Sequence, residues 1–246
     1  MSLPAKLLLS PVLVAQALLT RSRMPRLPEA AGAREGVVGR GPGLRLLILG
    51  DSSAAGVGVS DQSQALAGFL PMALSKKANL RVQWQLVARS GLTSARCQAL
   101  LESMPELQAD VAVVVLGVND VVDQVPSRRA IAAREAVANR LRNAHGVAHV
   151  VFTPLPPVHH FPGLPQPLRW VAGADARRHD RAVAAWARTR HDVSHVPIEL
   201  PLNRALMASD GFHPGVQVYR ICGTAIAEHI AQQVLPRSHR ASPAAS

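Results

Sequence analysis

The chain has 246 residues, 48% of them apolar and 17% charged, which is enough for one α/β domain with a full core and requires no second large domain. A formal net charge of +11 raises the question of nucleic acid, but the basic residues fall in separate clusters at Arg21–Arg26, Arg128–Arg142 and Arg177–Arg190, and aromatics are only 3%, too few to stack bases. Nucleic acid is therefore not an expected partner, whereas attraction to an anionic membrane surface fits the charge.

Residues 1–20 form an apolar segment whose run from Leu7 to Leu19 is too short for an ordinary transmembrane helix. Two readings stand. Lys6 and the Ala15-Gln16-Ala17 triplet outline a secretory signal. The arginines at 21, 23 and 26 instead favour a helix packed on the domain or lying in a membrane interface at the cytoplasmic face. Residues 21–43, rich in Arg, Pro and Gly, read as a basic linker or arm. From Leu44 to residue 235 short apolar runs alternate with helical patterns, as in one α/β domain. Leu44–Leu49 suits a strand buried on both faces, and Gln64–Lys77 a helix. Leu80–Ala88 is a second strand, followed by a tight turn at Arg89–Thr93 and a helix over Ser94–Ser103. Asp110–Leu116 is the most strand-like run. An arginine-rich helix, Arg128–Asn143, leads to a fourth strand, Val147–Phe152.

The stretch Thr153–Leu168 carries too many prolines for helix or central strand, and suits either a pocket wall or a structured crossover. Leu155, His159, His160, Phe161 and Leu164 in it are candidate substrate contacts. A helix over Arg169–Arg190, a fifth strand over Val193–Val196, a closing helix over Gly215–Val234 and a disordered tail, 236–246, complete the reading. His179, His191 and His195 lie among charges and are expected to be solvated. Five strands with intervening helices predict a three-layer α/β/α sandwich of about five parallel strands with right-handed crossovers. Cys97 and Cys222 lack any zinc or CxxC spacing and read as reduced, buried thiols. The sequence asks for no metal.

Four strand ends carry polar residues of the kinds that cooperate in acyl transfer. Ser52 follows the first strand, Gly91 the second, Asn119 the third, and Asp210 and His213 the fifth. The carboxyl edge of a parallel sheet is where ligands bind, so all five can meet on one rim. A serine hydroxyl needs a base, neutral imidazole serves as one, and Asp210 three positions before His213 can fix its tautomer. The Ser52 and Gly91 backbone N–H groups and the Asn119 side-chain amide are candidate donors to an oxyanion. Each piece has a plainer reading. Asp51 and Ser52 can cap the next helix, and Gly91 can simply permit a turn. Asn119-Asp120 can be an Asx turn, and Asp210 and His213-Pro214 a helix-start device. Gly50, Gly56 and Gly58 fit neither common phosphate-loop spacing.

Together, Gly50-Asp51-Ser52, Gly91, Gly117-Val118-Asn119-Asp120 and Asp210-Gly211-Phe212-His213-Pro214 resemble the four blocks of the SGNH hydrolases, the GDSL-type esterases and lipases, over about Leu44–Val234. The resemblance implies a flavodoxin-like sandwich and a cofactor-free hydrolase of carboxylic esters. It further implies Ser52, Asp210 and His213 as a triad and Ser52, Gly91 and Asn119 as an oxyanion hole. Ser53 departs from it, standing where the family's informal name expects leucine. The expected substrate is a small-molecule or lipid ester with a short acyl chain. An acyltransferase or carbohydrate O-deacetylase using the same site, and a non-catalytic membrane- or partner-binding module, are the alternatives. The expected location is the cytoplasm or the inner membrane face, with peripheral contact through the N-terminal segment; export is the alternative.

Overall fold

The computed structural model describes residues 3–103, 107–200 and 203–236. An N-terminal helix, α1 (Leu3–Arg23), precedes a short strand β1 (Glu35–Val38) and the long β2 (Gly43–Gly50). There follow α2 (Leu66–Ala78), β3 (Arg81–Ala88), α3 (Ser94–Ser103), β4 (Val111–Val115), a single-turn α4 (Val118–Val122) and α5 (Ser127–His145). The chain closes with β5 (His149–Phe152), α6 (Leu168–Ala187), β6 (Val193–His195) and α7 (Val216–His229), which runs on as a π-type turn over Ile230–Val234. Apart from Pro236, the expected disordered tail lies outside the described residues.

The strands form one sheet in the order β1-β3-β2-β4-β5-β6, all neighbours parallel except β1 against β3. The five parallel strands alone have the doubly wound 2-1-3-4-5 order, whose winding reverses between β2 and β4. Period-two alternation along β2 decides which residue enters which layer. Leu44, Leu46 and Ile48 pack with Leu66, Leu70 and Leu74 of α2 and Tyr219 and Ile226 of α7. Leu47 and Leu49 face the opposite way, into Leu101 of α3, Val137 and Leu141 of α5 and Val183 of α6. Both faces of the sheet are thus covered, giving the expected three layers; each such buried aliphatic contributes about 1.5–3 kcal/mol.

The sheet has six strands rather than five. Within the stretch read as an arm, Glu35–Val38 pairs antiparallel along β3, with Gly36 opposite Trp84. A Cβ on Gly36 would sit 3.0 Å from the indole Nε1, so the tryptophan covers the strand's bare backbone. Four residues flanked by glycine and arginine are too few to show a period, so the strand is set by its partner.

The arm also holds the domain's edge. Glu29 accepts from the backbone N–H and the hydroxyl of Ser90, at 2.7 and 2.8 Å, and pairs with Arg34, whose other nitrogen donates to the carbonyl of Ala88. Ahead of it, α1 lies on α6, and Gln16 ties it to the proline-rich stretch by donating to the Gln166 carbonyl and accepting from the Leu168 N–H.

Candidate active site

Register brings the site together. Gly50 at the end of β2 is level with Ala88 of β3 and Val115 of β4, so the three following loops leave the sheet side by side at its winding reversal. The turn after β2 runs close against β4: a Cβ on Gly50 would sit 2.4 Å from the Val115 carbonyl oxygen, so only glycine fits. The Asp51 carboxylate accepts from the Ser53 N–H, and the Asp51 and Ser52 carbonyls accept from Ala55 and Val57. Tyr219 of α7 donates to the Val57 carbonyl at 2.6 Å and pins the far end of this loop.

The turn entering α7 organises itself. One oxygen of Asp210 accepts from the backbone N–H groups of Phe212 and His213, both at 2.9 Å, as a cap would. Its other oxygen lies 2.6 Å from His213 Nδ1, and His213 Nε2 lies 3.0 Å from Ser52 Oγ. The two readings weighed for this motif therefore coexist: the carboxylate that shapes the turn also holds the imidazole. Burial works to raise the Asp210 pKa, but the bonds from the His213 ring and the two N–H groups outweigh it, so its carboxyl titrates below the usual range. The side chain of His213 is 16% exposed and that of Asp210 1%, which leaves the ring reachable and the carboxylate not.

Asn119 stands on the first turn of α4, its amide donating to the Leu92 carbonyl at 3.0 Å and to Asp51 at 3.3 Å. Beneath it lies a buried ion pair that the sequence did not announce. Asp120 accepts from the N–H and hydroxyl of Ser94 at 3.0 and 2.6 Å and faces Arg134 of α5 at 3.3 Å, both side chains being 1% exposed. Arg134 also donates to the Leu116 carbonyl and the Ser94 hydroxyl, so one guanidinium ties the β3–α3 loop to the β4–α4 loop. Gly117, at φ 134°, leaves room for it, since a Cβ there would meet its Nη2 at 2.4 Å. Gly91 is exposed at φ 81°, with open space beside it, in the loop that Glu29 braces through Ser90.

Asp51 is wholly buried, and that burial, opposed by the Ser53 N–H, pushes its carboxyl up to about 6. Burial likewise pushes the thiols of Cys97 and Cys222 up to about 12, so both remain protonated near neutrality. Among the described residues no three His, Cys, Asp or Glu side chains gather as a metal site would.

A cavity of about 100 Å³ opens beside Ser52, Asn119 and His213. Its inner wall is apolar, from Leu66 of α2 and Val218, Tyr219, Cys222 and Ile226 of α7, with Ile198 and Met207 from the segment between β6 and α7. Of the five residues expected to contact substrate, only Phe161 lines it. Leu155 and Leu164 are buried with Val121, Val158 and Ala176 in a separate cluster. His159 and His160 stack on each other with centroids 4.1 Å apart, and His159 abuts Gly173 of α6. The proline-rich stretch does line the cavity, through Thr153, Pro154, Pro156 and Phe161, while its later part folds back onto α6; α7, whose inward face carried no polar signal to mark it, supplies as many residues again. Of the histidines expected to be solvated, His179 is buried, and His195 lies 2.9 Å from Asp180.

A hydroxyl, an imidazole and a carboxylate in one hydrogen-bonded file, at the carboxyl edge of a doubly wound sheet, are the parts of a hydrolase that works through serine. Comparison with known proteins agrees. Residues 48–221 match the model of the GDSL-like lipase/acylhydrolase family, and the chain belongs to that family, whose members hydrolyse ester bonds. A GDSL-like esterase of Mycobacterium tuberculosis is 27% identical over 233 residues, covering 85% of this chain and 73% of the relative. Among solved structures, the acetylxylan esterase Axe2 of Geobacillus stearothermophilus superposes with a TM-score of 0.59 at 18% identity, covering 78% of this chain and 96% of that one. A lipolytic protein of the G-D-S-L family from Veillonella parvula gives 0.58 at 13%, covering 76% and 98%.

Proposed function

We propose that this chain cleaves carboxylic esters of short acyl chains through an acyl-Ser52 intermediate. The observation that carries the reading is the continuous file from Asp210 through His213 to Ser52, at 2.6 and 3.0 Å. His213 Nε2 takes the hydroxyl proton as Oγ attacks the ester carbon, and Asp210 stabilises the imidazolium that forms. The negative oxygen is met by the Ser52 and Gly91 N–H groups and by the Asn119 amide. Both hydrogens of that amide have partners in the free protein, so Asn119 serves the oxyanion by releasing its longer bond, the one to Asp51. Collapse of the intermediate breaks the bond to the alkoxy oxygen, which leaves as the alcohol with the proton from His213. Water then repeats the sequence on the acyl carbon, giving the carboxylic acid and restoring Ser52.

The acyl group is assigned to the apolar cavity, whose closed inner wall of Leu66, Cys222 and Ile226 limits its length. A panel of p-nitrophenyl esters from acetate to palmitate tests this. The expected result is a kcat/KM optimum among the short chains and a steep decline toward palmitate. A clear optimum at the longest chains rejects the assignment, and equal rates for wild type and Ser52→Ala reject the mechanism.

A further inference from the structure

Helix α1 has two apolar faces and uses one. Leu9, Leu13, Gln16, Thr20 and Met24 recur at helical spacing and are half-buried, and this is the side laid on α6 and fastened by Gln16. At 100° per residue, Val14 and Leu18 project on the far side, where an ordinary surface helix would be polar, and Leu19 stands at its edge on the rim of the cleft toward Pro162 and Asp210. The three are 58%, 63% and 52% exposed, with Val12, at 47%, on the same helix. Four of the large exposed apolar side chains among the described residues are thus gathered on one helix, whereas Val37, Met72, Val122, Trp170 and Val216 stand singly on five other elements.

Charge names the occupant. The chain carries Lys6, Arg21, Arg23 and Arg26 before its first acid, Glu29, and Arg21 and Arg23 occupy the last turn of α1. A second copy of a chain with a net charge of +11 would bring like charges together at this face. An anionic lipid surface neutralises the arginines while its acyl boundary takes the leucines and valines. Among the described residues no helix is long and apolar enough to cross a membrane, so α1 would lie in the surface rather than span it. We propose that the outer face of α1, Val14, Leu18 and Leu19 with Arg21 and Arg23, docks the protein on an anionic phospholipid bilayer. The helix shares a cleft with Ser209 and Asp210, so the docked bilayer lies beside the loop that carries His213 rather than across the molecule from it.

The test is sedimentation of the full chain with vesicles of phosphatidylcholine, alone or with a third phosphatidylglycerol, at low and high salt. The expected result is at least about tenfold tighter binding to the anionic vesicles, weakened by salt. Leu18→Asp with Leu19→Asp should reduce it by about tenfold or more, and Arg21→Glu with Arg23→Glu should erase the preference for phosphatidylglycerol. Leu18 and Arg21 are exposed and line no part of the cleft shared with Asp210, so hydrolysis of a soluble ester by the single variants Leu18→Asp and Arg21→Glu should be unchanged and serves as the folding control. Should the leucine pair fail to fold, the arginine pair alone decides. Failure to sediment with either vesicle overturns the proposal, as does equal, salt-insensitive binding to both. A dimer in light scattering that the leucine pair splits assigns the face to a second copy instead. Protein recovered from its native host without residues 1–17 has lost Val14, the Gln16 fastening and most of the helix that presents this face, and also refutes it.

Discussion

The two halves of the candidate site are built by opposite means. On the acid–base side one carboxylate, three residues before the imidazole, shapes the turn with two backbone bonds and orients the ring with a third. On the oxyanion side Gly91 and Asn119 come from different loops. They are held in place by Asp120, Ser94 and Arg134, spread over 40 positions, and by Glu29 from an arm 61 residues before Ser90. A local device can be damaged without touching the fold, whereas a device built from distant pieces is part of it.

His213→Ala should expose that difference most sharply. The imidazole contributes to a turn already closed by backbone bonds, so kcat should fall by about 10⁴-fold or more while the denaturation midpoint stays near wild type. A parallel loss of stability, seen in urea melts, would mean that the acid–base turn is not self-contained. Arg134→Ala should do the reverse. It leaves the Asp120 carboxylate buried without its counter-charge, and should cost about 3–5 kcal/mol of stability, read from the same melts, with activity lost only as folded protein is lost.

Asp51 separates the halves by pH. Its carboxyl is pushed from the usual 3.8 up to about 6 in the folded chain, so between these values the folded state holds more protons than the unfolded one. Stability therefore falls as pH rises from about 4 to about 6. The acid Asp192, held at about 2 chiefly by Arg190, makes its own contribution at lower pH, where stability is lost as pH falls. Asp51→Asn should flatten the upper window and gain on the order of 1–3 kcal/mol at pH 7.5, measured by denaturation at pH 4.5 and 7.5. The smallest expected effect belongs to Glu29→Gln. It weakens a partly exposed brace on the Gly91 loop, worth about 0.5–1 kcal/mol, and should lower kcat two- to fivefold with KM unchanged.

The same contrast explains what could be read from the sequence. Asp210-Gly211-Phe212-His213 is legible because its geometry is local, and strand ends could be placed because apolar runs end abruptly at Gly50, Ala88 and Leu116. The three layers and the parallel strands followed from βα alternation. Strand β1 did not, because Glu35–Val38 is a strand only where Trp84 lies across it. Arg134 sat among the arginines of an amphipathic helix, and nothing in spacing marks the one of them that faces inward. The cavity wall was only half legible for a related reason: prolines announce a rigid stretch but not which of its side chains turn inward, and Thr153, Pro154, Pro156 and Phe161 line the cavity with α7 while Leu155 and Leu164 are buried elsewhere.

The central claim is that His213 makes the hydroxyl of Ser52, rather than that of Ser53 beside it, the attacking group. Treating the wild type, Ser52→Ala and His213→Ala with a fluorophosphonate, and mapping the modified peptide by mass spectrometry, tests it directly. The account predicts one adduct, on Ser52, formed at least about a hundredfold more slowly without the imidazole. An adduct on Ser53, or labelling of Ser52→Ala at the wild-type rate, would contradict it.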